Sequence, residues 1–269
     1  MIIAEFEIKE ENKDERILFS YEERCRMRED DINEKYGNEK QLKENIEIEI
    51  DGKTIPFSYT YRFDKKGRHT IKYILKGNTL RNISHMFDGC TSLITIDLSK
   101  FSAKGITHMT WLFGHCSSLT DANLSNFDSQ NVIEMPCLFG GCESLINVNL
   151  TGFDTKNAWN FGGLFENCNS LQNIDVSSFN TEKATDMTSM FRKCAKLKSV
   201  DLSNFNTKKV LTMWGMFEGC SSLTSLNLSN FSTQEKTEVY QMFQYCQSLD
   251  KKNLICKDTK ILKEFNDSR

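Results

Sequence analysis

The sequence predicts an α/β solenoid of 26-residue repeats, each with one short parallel strand and one short helix, preceded by a small antiparallel β domain. Three observations predict this fold. Seven cysteines recur every 26 residues, phenylalanine and leucine columns keep the same interval, and the first 79 residues share neither the interval nor the composition of the rest. A fixed period between about 20 and 50 residues is typical of stacked repeats, in which each copy contacts only its neighbours.

The cysteine column sets the register of the repeat. Phenylalanine precedes each of these cysteines by three residues, and leucine follows by three. Further apolar positions lie six, eight and eleven residues after the cysteine, and Lys252 breaks the first of them in the seventh copy, where we expect the array to end. The column consists of Cys90, Cys116, Cys142, Cys168, Cys194, Cys220 and Cys246.

Each repeat combines two periodicities. After the cysteine, apolar and polar positions alternate, as in Ile96, Asp97 and Leu98, which predicts a strand with one buried face. Before it, apolar residues ten, seven, four and three positions upstream form the stripe of a short helix. Gly89 and its equivalents would take the left-handed conformation that ends such a helix. The sequence thus predicts about seven coils over residues 80–256.

Segments such as MFEGCSSLTSLNLSNFST, from Met216 to Thr233, resemble the BspA-like leucine-rich repeat family of microbial and protist proteins. The resemblance covers about residues 80–256, where six copies keep the phenylalanine, cysteine and leucine columns in register. It implies a leucine-rich-repeat solenoid with a parallel sheet on one face and helical segments on the other. It also implies a role in binding proteins or in adhering to surfaces.

Residues 1–79 are a different kind of sequence, because 34 of them are charged, against 37 of the remaining 190. Alternating apolar positions over 46–50, followed by Asp51-Gly52, predict a hairpin within a small antiparallel meander. The charged segment from Tyr21 to Tyr36 is expected to form a helix or a loop inserted in it. We interpret this part as a cap over the first coil, with ligand recognition of its own as the alternative. Residues 257–269 are expected to form a C-terminal tail.

Composition and motifs argue against several classes of function. The net charge is only −3, which gives no electrostatic case for nucleic acid binding, and no run of 18 apolar residues predicts insertion into a membrane. Phosphate-loop, H-E-x-x-H and G-x-S-x-G motifs are missing from the sequence. We therefore expect no enzymatic activity, no cofactor and no metal.

The cysteine column is best interpreted as a row of small buried hydrophobic residues in a reducing, cytoplasmic compartment. Zinc ligands would converge instead of repeating in parallel, and seven equivalent thiols do not favour one nucleophile. Cys137 and Cys256 lie outside the column and are expected to be more exposed, while the environment of Cys25 is left open.

Two faces are candidates for binding a protein partner. The first comprises large apolar residues at outward positions of the helical side, where copies differ; such residues anchor interfaces, unless they fold down over neighbouring coils. They are Trp111, Ile133, Trp159, Leu211, Trp214 and Tyr240. The second comprises the polar residue between the two buried positions of each strand, for which a hydrogen-bonded ladder between coils is the alternative. These residues are Asp97, Asn123, Asn149, Asp175, Asp201 and Asn227.

Taken together, these features predict a monomeric, non-catalytic interaction module or scaffold whose protein partner the sequence does not name. The alternative is a cell-surface or secreted adhesin whose targeting segment is absent, which would place the protein outside the cell.

Overall fold

The structure, a computed structural model, describes residues 1–31, 33, 37–77, 79–101 and 104–268. Its N-terminal part forms β1 (Ile2–Ile8), β2 (Asp14–Arg16), α1 (Tyr21–Arg28), α2 (Glu39–Asn45), β3 (Ile46–Ile50), β4 (Lys53–Ile55), β5 (Thr60–Arg62) and β6 (Gly67–Leu75). The remainder forms β7 (Leu93–Asp97), β8 (Asp121–Asn123), β9 (Asn147–Asn149), β10 (Leu226–Leu228), a 3₁₀ helix (Lys251–Asn253), β11 (Leu254–Cys256) and α3 (Thr259–Asp267).

One mixed sheet joins the N-terminal part to the repeats. Its strand order is β4-β3-β6-β1-β7-β8-β9, with β1 antiparallel to both β6 and β7, and with β7, β8 and β9 parallel. Alternate residues of β1, namely Ile2, Ala4, Phe6 and Ile8, are buried. This period of two places the apolar side of β1 on the core that continues into the coils.

The predicted hairpin is confirmed. β3 and β4 pair antiparallel, and the two residues between them, Asp51 and Gly52, have φ angles of 48° and 82°. Two left-handed residues form the turn that matches the twist of a hairpin. The predicted helix or loop after Tyr21 begins with α1, which Ser20 caps by accepting a hydrogen bond from the Glu23 N–H. Residues 32 and 34–36 of the predicted segment lie outside the described residues.

The helix predicted in each repeat is wrong, because the described segments before the cysteines consist of consecutive turns. The residues five positions and one position before each cysteine have positive φ, as at Trp111 and His115. Gly89 and Asn167 are left-handed as predicted, but they close a turn instead of a helix. Two left-handed residues within five positions cannot be accommodated in a right-handed helix.

Hydrogen bonding explains why turns form there. In the first coil the N–H groups of His85 and Phe87 donate to Thr110 and Leu112 of the next coil, at 2.9 Å in both cases. The alternate N–H groups, those of Met86 and Asp88, bond three residues back within the same coil, to Ile83 and His85. A helix would use every N–H within its own segment. Here every second one joins neighbouring coils, and this ladder recurs through the stack.

The strand predicted after each cysteine is present in only some of the described coils. The first three coils carry β7, β8 and β9, and the sixth carries β10, which pairs in parallel with β11. Around Ile174 the described residues form no strand, and next to Val200 the ladder reduces to a bridge between Asp201 and Asn227. Those coils are joined instead by isolated bonds such as that from the Lys198 N–H to the Gln172 carbonyl.

The repeating core is a stack of aromatic rings beside a row of thiols. The phenylalanines three residues before the cysteines lie 5.2–6.1 Å apart and nearly parallel, from Phe87 to Phe243. The phenylalanines that lie eleven positions after the cysteines form a second stack, from Phe101 to Phe231. Both stacks and the cysteine column are buried, as the sequence predicts.

The cysteine thiols also make hydrogen bonds that sequence analysis did not anticipate. From the second coil onward, each thiol donates to the carbonyl oxygen of the phenylalanine 29 residues earlier, at 3.0–3.2 Å. Burial raises the pKa of the first six thiols of the column, from Cys90 to Cys220, above the ordinary value. The column therefore combines a small apolar volume with a weak donor.

Both ends of the stack are covered. Asn38 Nδ2, the Phe19 N–H and Arg16 Nη1 donate to carbonyls of the first coil at 2.7, 2.9 and 3.2 Å. At the other end, the segment predicted as a tail forms α3, whose Phe265 meets Phe243 edge to face at 5.3 Å. Tyr73 meets Phe87 in the same way at the first coil, so an aromatic edge closes the main stack at each end.

We predict that Phe165→Ala, in the middle of the main stack, lowers the free energy of unfolding by about 3–5 kcal/mol, because it opens a cavity between two parallel rings. Denaturant unfolding followed by circular dichroism measures this. Tyr240→Ala, which truncates an exposed ring, serves as the control and should change stability by less than about 1 kcal/mol. Equal effects of the two variants would contradict the stacking interpretation.

We also predict that a thiol reagent leaves the cysteine column unmodified in the folded protein. Those thiols are buried, Cys25 is buried as well, and burial raises the pKa of the half-buried Cys137 to about 12. Thiolates are the reactive form, so only Cys256 and Cys137 should react, and slowly. Ellman titration should reach all ten thiols only in denaturant. Rapid reaction of more than three in the native protein would show that the column is accessible.

Candidate functional site

The candidate residues lie on two faces of the stack. The turn face is formed by the outward side chains of the segment from nine residues to one residue before each cysteine. The sheet face is formed by the outward side chains of the segment from five to seven residues after it. The outward side chains of both faces lie outside the recurring apolar core.

Three candidates on the turn face present large apolar surfaces to solvent. Trp159, Leu211 and Tyr240 are 39%, 56% and 64% exposed. Trp159 and Leu211 occupy one column, nine residues before the cysteine, and the N–H of Trp159 donates to the carbonyl of the half-buried Ile133 in the preceding coil. These residues form a discontinuous apolar row along the stack, which is the pattern expected of anchor residues.

Trp111 folds down over the stack instead. It has a φ of 53°, and its ring lies parallel to that of His115 with the centroids 4.8 Å apart. Side-chain carbons placed on Gly114 and Gly140 would come within 2.5 and 2.9 Å of this ring. The indole therefore covers the backbone of its own coil and the next, and only glycine leaves room for it.

Trp214 is half-buried beside a charged row. The guanidinium of Arg192 lies 5.7 Å from its ring centroid and bonds Glu218 through two nitrogens, at 2.9 and 3.0 Å. A third bond reaches Glu166 at 3.1 Å. These three charged residues occupy one position in consecutive coils, two residues before the cysteine. They fix the orientation of the indole through a cation–π contact.

On the sheet face, each candidate residue holds its own turn. The side-chain oxygens of Asp97, Asn123, Asn149, Asp175, Asp201 and Asn227 each accept a hydrogen bond from the N–H two residues later, at 2.8–3.1 Å. Such Asx turns explain why the column contains only Asp and Asn. Within this column, Asn123 Nδ2 also donates to Asp97 Oδ1 of the preceding coil, at 3.1 Å. The six residues remain a predicted binding face, and their side chains also hold the Asx turns.

A cluster that sequence analysis missed lies at the start of the turn face. Asp88, which is buried, accepts from His85 Nδ1 at 2.8 Å and from His115 Nδ1 at 2.9 Å. Burial acts to raise the pKa of Asp88, but the two imidazole hydrogen bonds outweigh it and lower that pKa. Burial lowers the pKa of His85, and the charges of Arg24 and Arg28 act in the same direction. Asp88 therefore stays ionised and His85 neutral near pH 7.

The sequence carries only a weak signal for the contacts among His85, Asp88 and His115. His85, Asp88 and His115 occupy variable columns of the turn face, at the same positions as Cys137, Glu166 and Lys193 in other coils. Variation at otherwise regular positions was visible in the sequence. Their convergence was not, because it depends on two neighbouring coils.

Comparison with known proteins gives one family and one distant structure. Residues 81–200 and 171–267 match the family described as Mycoplasma protein of unknown function, DUF285. No curated protein matches the chain. A crystal structure of a leucine-rich repeat protein from T. pallidum matches with 23% sequence identity and a TM-score of 0.35, covering 55% of this chain and 74% of that one.

Among the described residues, no group of three or more His, Cys, Asp or Glu side chains is arranged to hold a metal ion. None of the helices described is long and apolar enough to cross a membrane.

We predict that stability falls when the pH is lowered from about 7 to 5, partly through His85. The unfolded chain protonates this imidazole near pH 6.5, whereas the folded protein does so only at lower pH, so the unfolded state binds more protons in between. Each unit of that pKa difference corresponds to about 1.4 kcal/mol. Urea unfolding at several pH values measures the slope. His85→Gln should flatten it, and an unchanged slope would show that His85 does not contribute.

Proposed function

We propose that the chain, which belongs to the DUF285 family of Mycoplasma proteins of unknown function, is a non-catalytic protein-binding module of the leucine-rich-repeat type. The observation that carries this proposal is the exposed apolar row of Trp159, Leu211 and Tyr240 on a scaffold whose other large apolar columns are buried. Apolar side chains that neither fill the core nor repeat between coils are typical of interface anchors.

The turn face is the preferred site for the partner. Its side chains differ from coil to coil, whereas the sheet-face column is restricted to Asp and Asn by its Asx turns. Trp111 and Trp214 support this face from below by packing against glycines and Arg192. The resemblance of the repeats to BspA-like leucine-rich repeats, many of which bind proteins or surfaces, also supports a binding role.

We further propose a monomer in a reducing compartment, with residues 1–79 acting as the cap. Support for the monomer and the cap comes from the covered ends, where Asn38, Phe19 and Arg16 bond the first coil and Phe265 covers the last. Support for the compartment comes from the ten cysteines, all within the described residues and none in a disulfide.

The test is affinity capture from a lysate of the source organism, followed by mass spectrometry. We predict that Trp159→Ala with Leu211→Ala and Tyr240→Ala reduces capture of the main partner roughly ten-fold or more, since each change removes an exposed anchor. The unfolding midpoint should barely move, because these side chains lie on the surface.

The matched control changes the other face. Asn173→Arg with Ser199→Arg places two bulky charges on exposed sheet-face positions without touching the Asx turns. This variant should capture the partner as the unmodified chain does. Capture retained by the turn-face variant and lost by the sheet-face variant would move the proposed site to the sheet.

A further inference from the structure

A cleft of about 310 Å³ lies between the N-terminal part and the first two coils. α1 and the end of β2 form one wall, and the turn face forms the other. We name it the α1 cleft and define it by its lining residues. These are Arg16, Phe19, Arg24, Met27, Arg28, Asp88, Gly89 and His115.

Three arginines line the α1 cleft without a carboxylate partner. Among the described residues, no Asp or Glu carboxylate oxygen lies within 4.0 Å of the guanidinium nitrogens of Arg16, Arg24 or Arg28. Arg26 on the same helix, by contrast, pairs with both Glu23 and Glu39. Positive charge is therefore concentrated in the cleft of a chain whose net charge is −3.

The one carboxylate in the lining does not neutralise these arginines. Asp88 is buried, and its two oxygens accept from His85 and His115. The positive field reaches the buried side of the cluster, since Arg24 and Arg28 add to the effect of burial in lowering the pKa of His85. An anion entering the cleft would meet three guanidinium groups and the ring of His115.

Three contacts fix the position of the Arg16 guanidinium in the α1 cleft. Its guanidinium lies over the Phe19 ring at 4.1 Å, Nη1 donates to the Asp88 carbonyl at 3.2 Å, and Nη2 contacts Met27 Sδ at 3.3 Å. Gly89 permits this position, because a side-chain carbon there would lie 2.5 Å from Nη1. A thioether is a weak acceptor, so Nη2 still gains from a charged ligand.

We propose that the α1 cleft binds the phosphate group of a small organic ligand. Guanidinium groups recognise phosphate through paired, charge-assisted hydrogen bonds, and three arginines line this cleft. Phe19 and the 61% exposed Met27 supply an apolar wall for the rest of the ligand. The volume of the cleft is at the lower end of the range for small-molecule sites, which selects a compact ligand.

The experiment is calorimetric titration of the full chain with phenyl phosphate and, separately, with inorganic phosphate. Phenyl phosphate should bind saturably and more tightly than inorganic phosphate, because its ring adds contacts to the apolar wall. Arg24→Gln with Arg28→Gln should weaken binding roughly ten-fold or more, since it removes two charged donors. Sodium chloride at equal ionic strength should not reproduce the heat.

The control variant, Lys208→Gln with Lys209→Gln, removes the same charge from exposed positions far along the stack and should bind as the unmodified chain does. Circular dichroism and the unfolding midpoint establish that all variants are folded. Absence of saturable binding, or equal weakening in both double variants, would overturn the proposal. Equal affinity for the two phosphates would overturn its assignment to an organic ligand.

Discussion

Backbone hydrogen bonds between neighbouring coils are the interaction on which the rest of this molecule depends. Every second N–H of the turn segment donates to the next coil, and the intervening ones close turns within their own coil. This arrangement satisfies polar backbone groups that lie against an aromatic core, where an unpaired group would be costly. It also sets the spacing at which the phenylalanine rings stack and the cysteine thiols reach the carbonyls of the preceding coil.

This division of labour leaves the turn face available for recognition. The apolar columns and the Asx positions carry the stack, so they tolerate little change from coil to coil. Positions such as 159, 192 and 211 carry no such constraint, and they hold a tryptophan, an arginine and a leucine. The residues of the proposed binding site can therefore vary without altering the contacts that hold the coils together.

Much of the fold could be predicted from the sequence because the same positions are buried in successive 26-residue repeats. The period, the buried columns, the left-handed glycines and the Asp51-Gly52 hairpin follow from local chemistry. The turns that replace the expected helix could not be predicted in this way, because the spacing of Val132, Met135 and Leu138 suits a helix and a double turn equally. The choice depends on acceptors 25 residues away, which no local pattern records. The α1 cleft was hidden for a similar reason, since it joins Arg24 to His115 across two separate parts of the chain.

The direction of the coil-to-coil bonds has a consequence for how such a chain can change length. The turn segment of each coil donates to the next coil, whereas N–H groups such as those of Trp159 and Lys198 donate to the preceding one. This two-way pattern recurs along the stack, so an internal coil offers its neighbours the same two edges. The cap donates hydrogen bonds to Ser84, Met86 and Asp88 of the first coil, and α3 packs its Phe265 on the last. Duplication or loss of one whole internal 26-residue unit would therefore leave the hydrogen bonds of the cap to the first coil, the packing of Phe265 on the last coil and the recurring backbone bonds between coils in place. Gene segments of 78 nucleotides are the natural increment of this architecture, since three nucleotides encode each of the 26 residues.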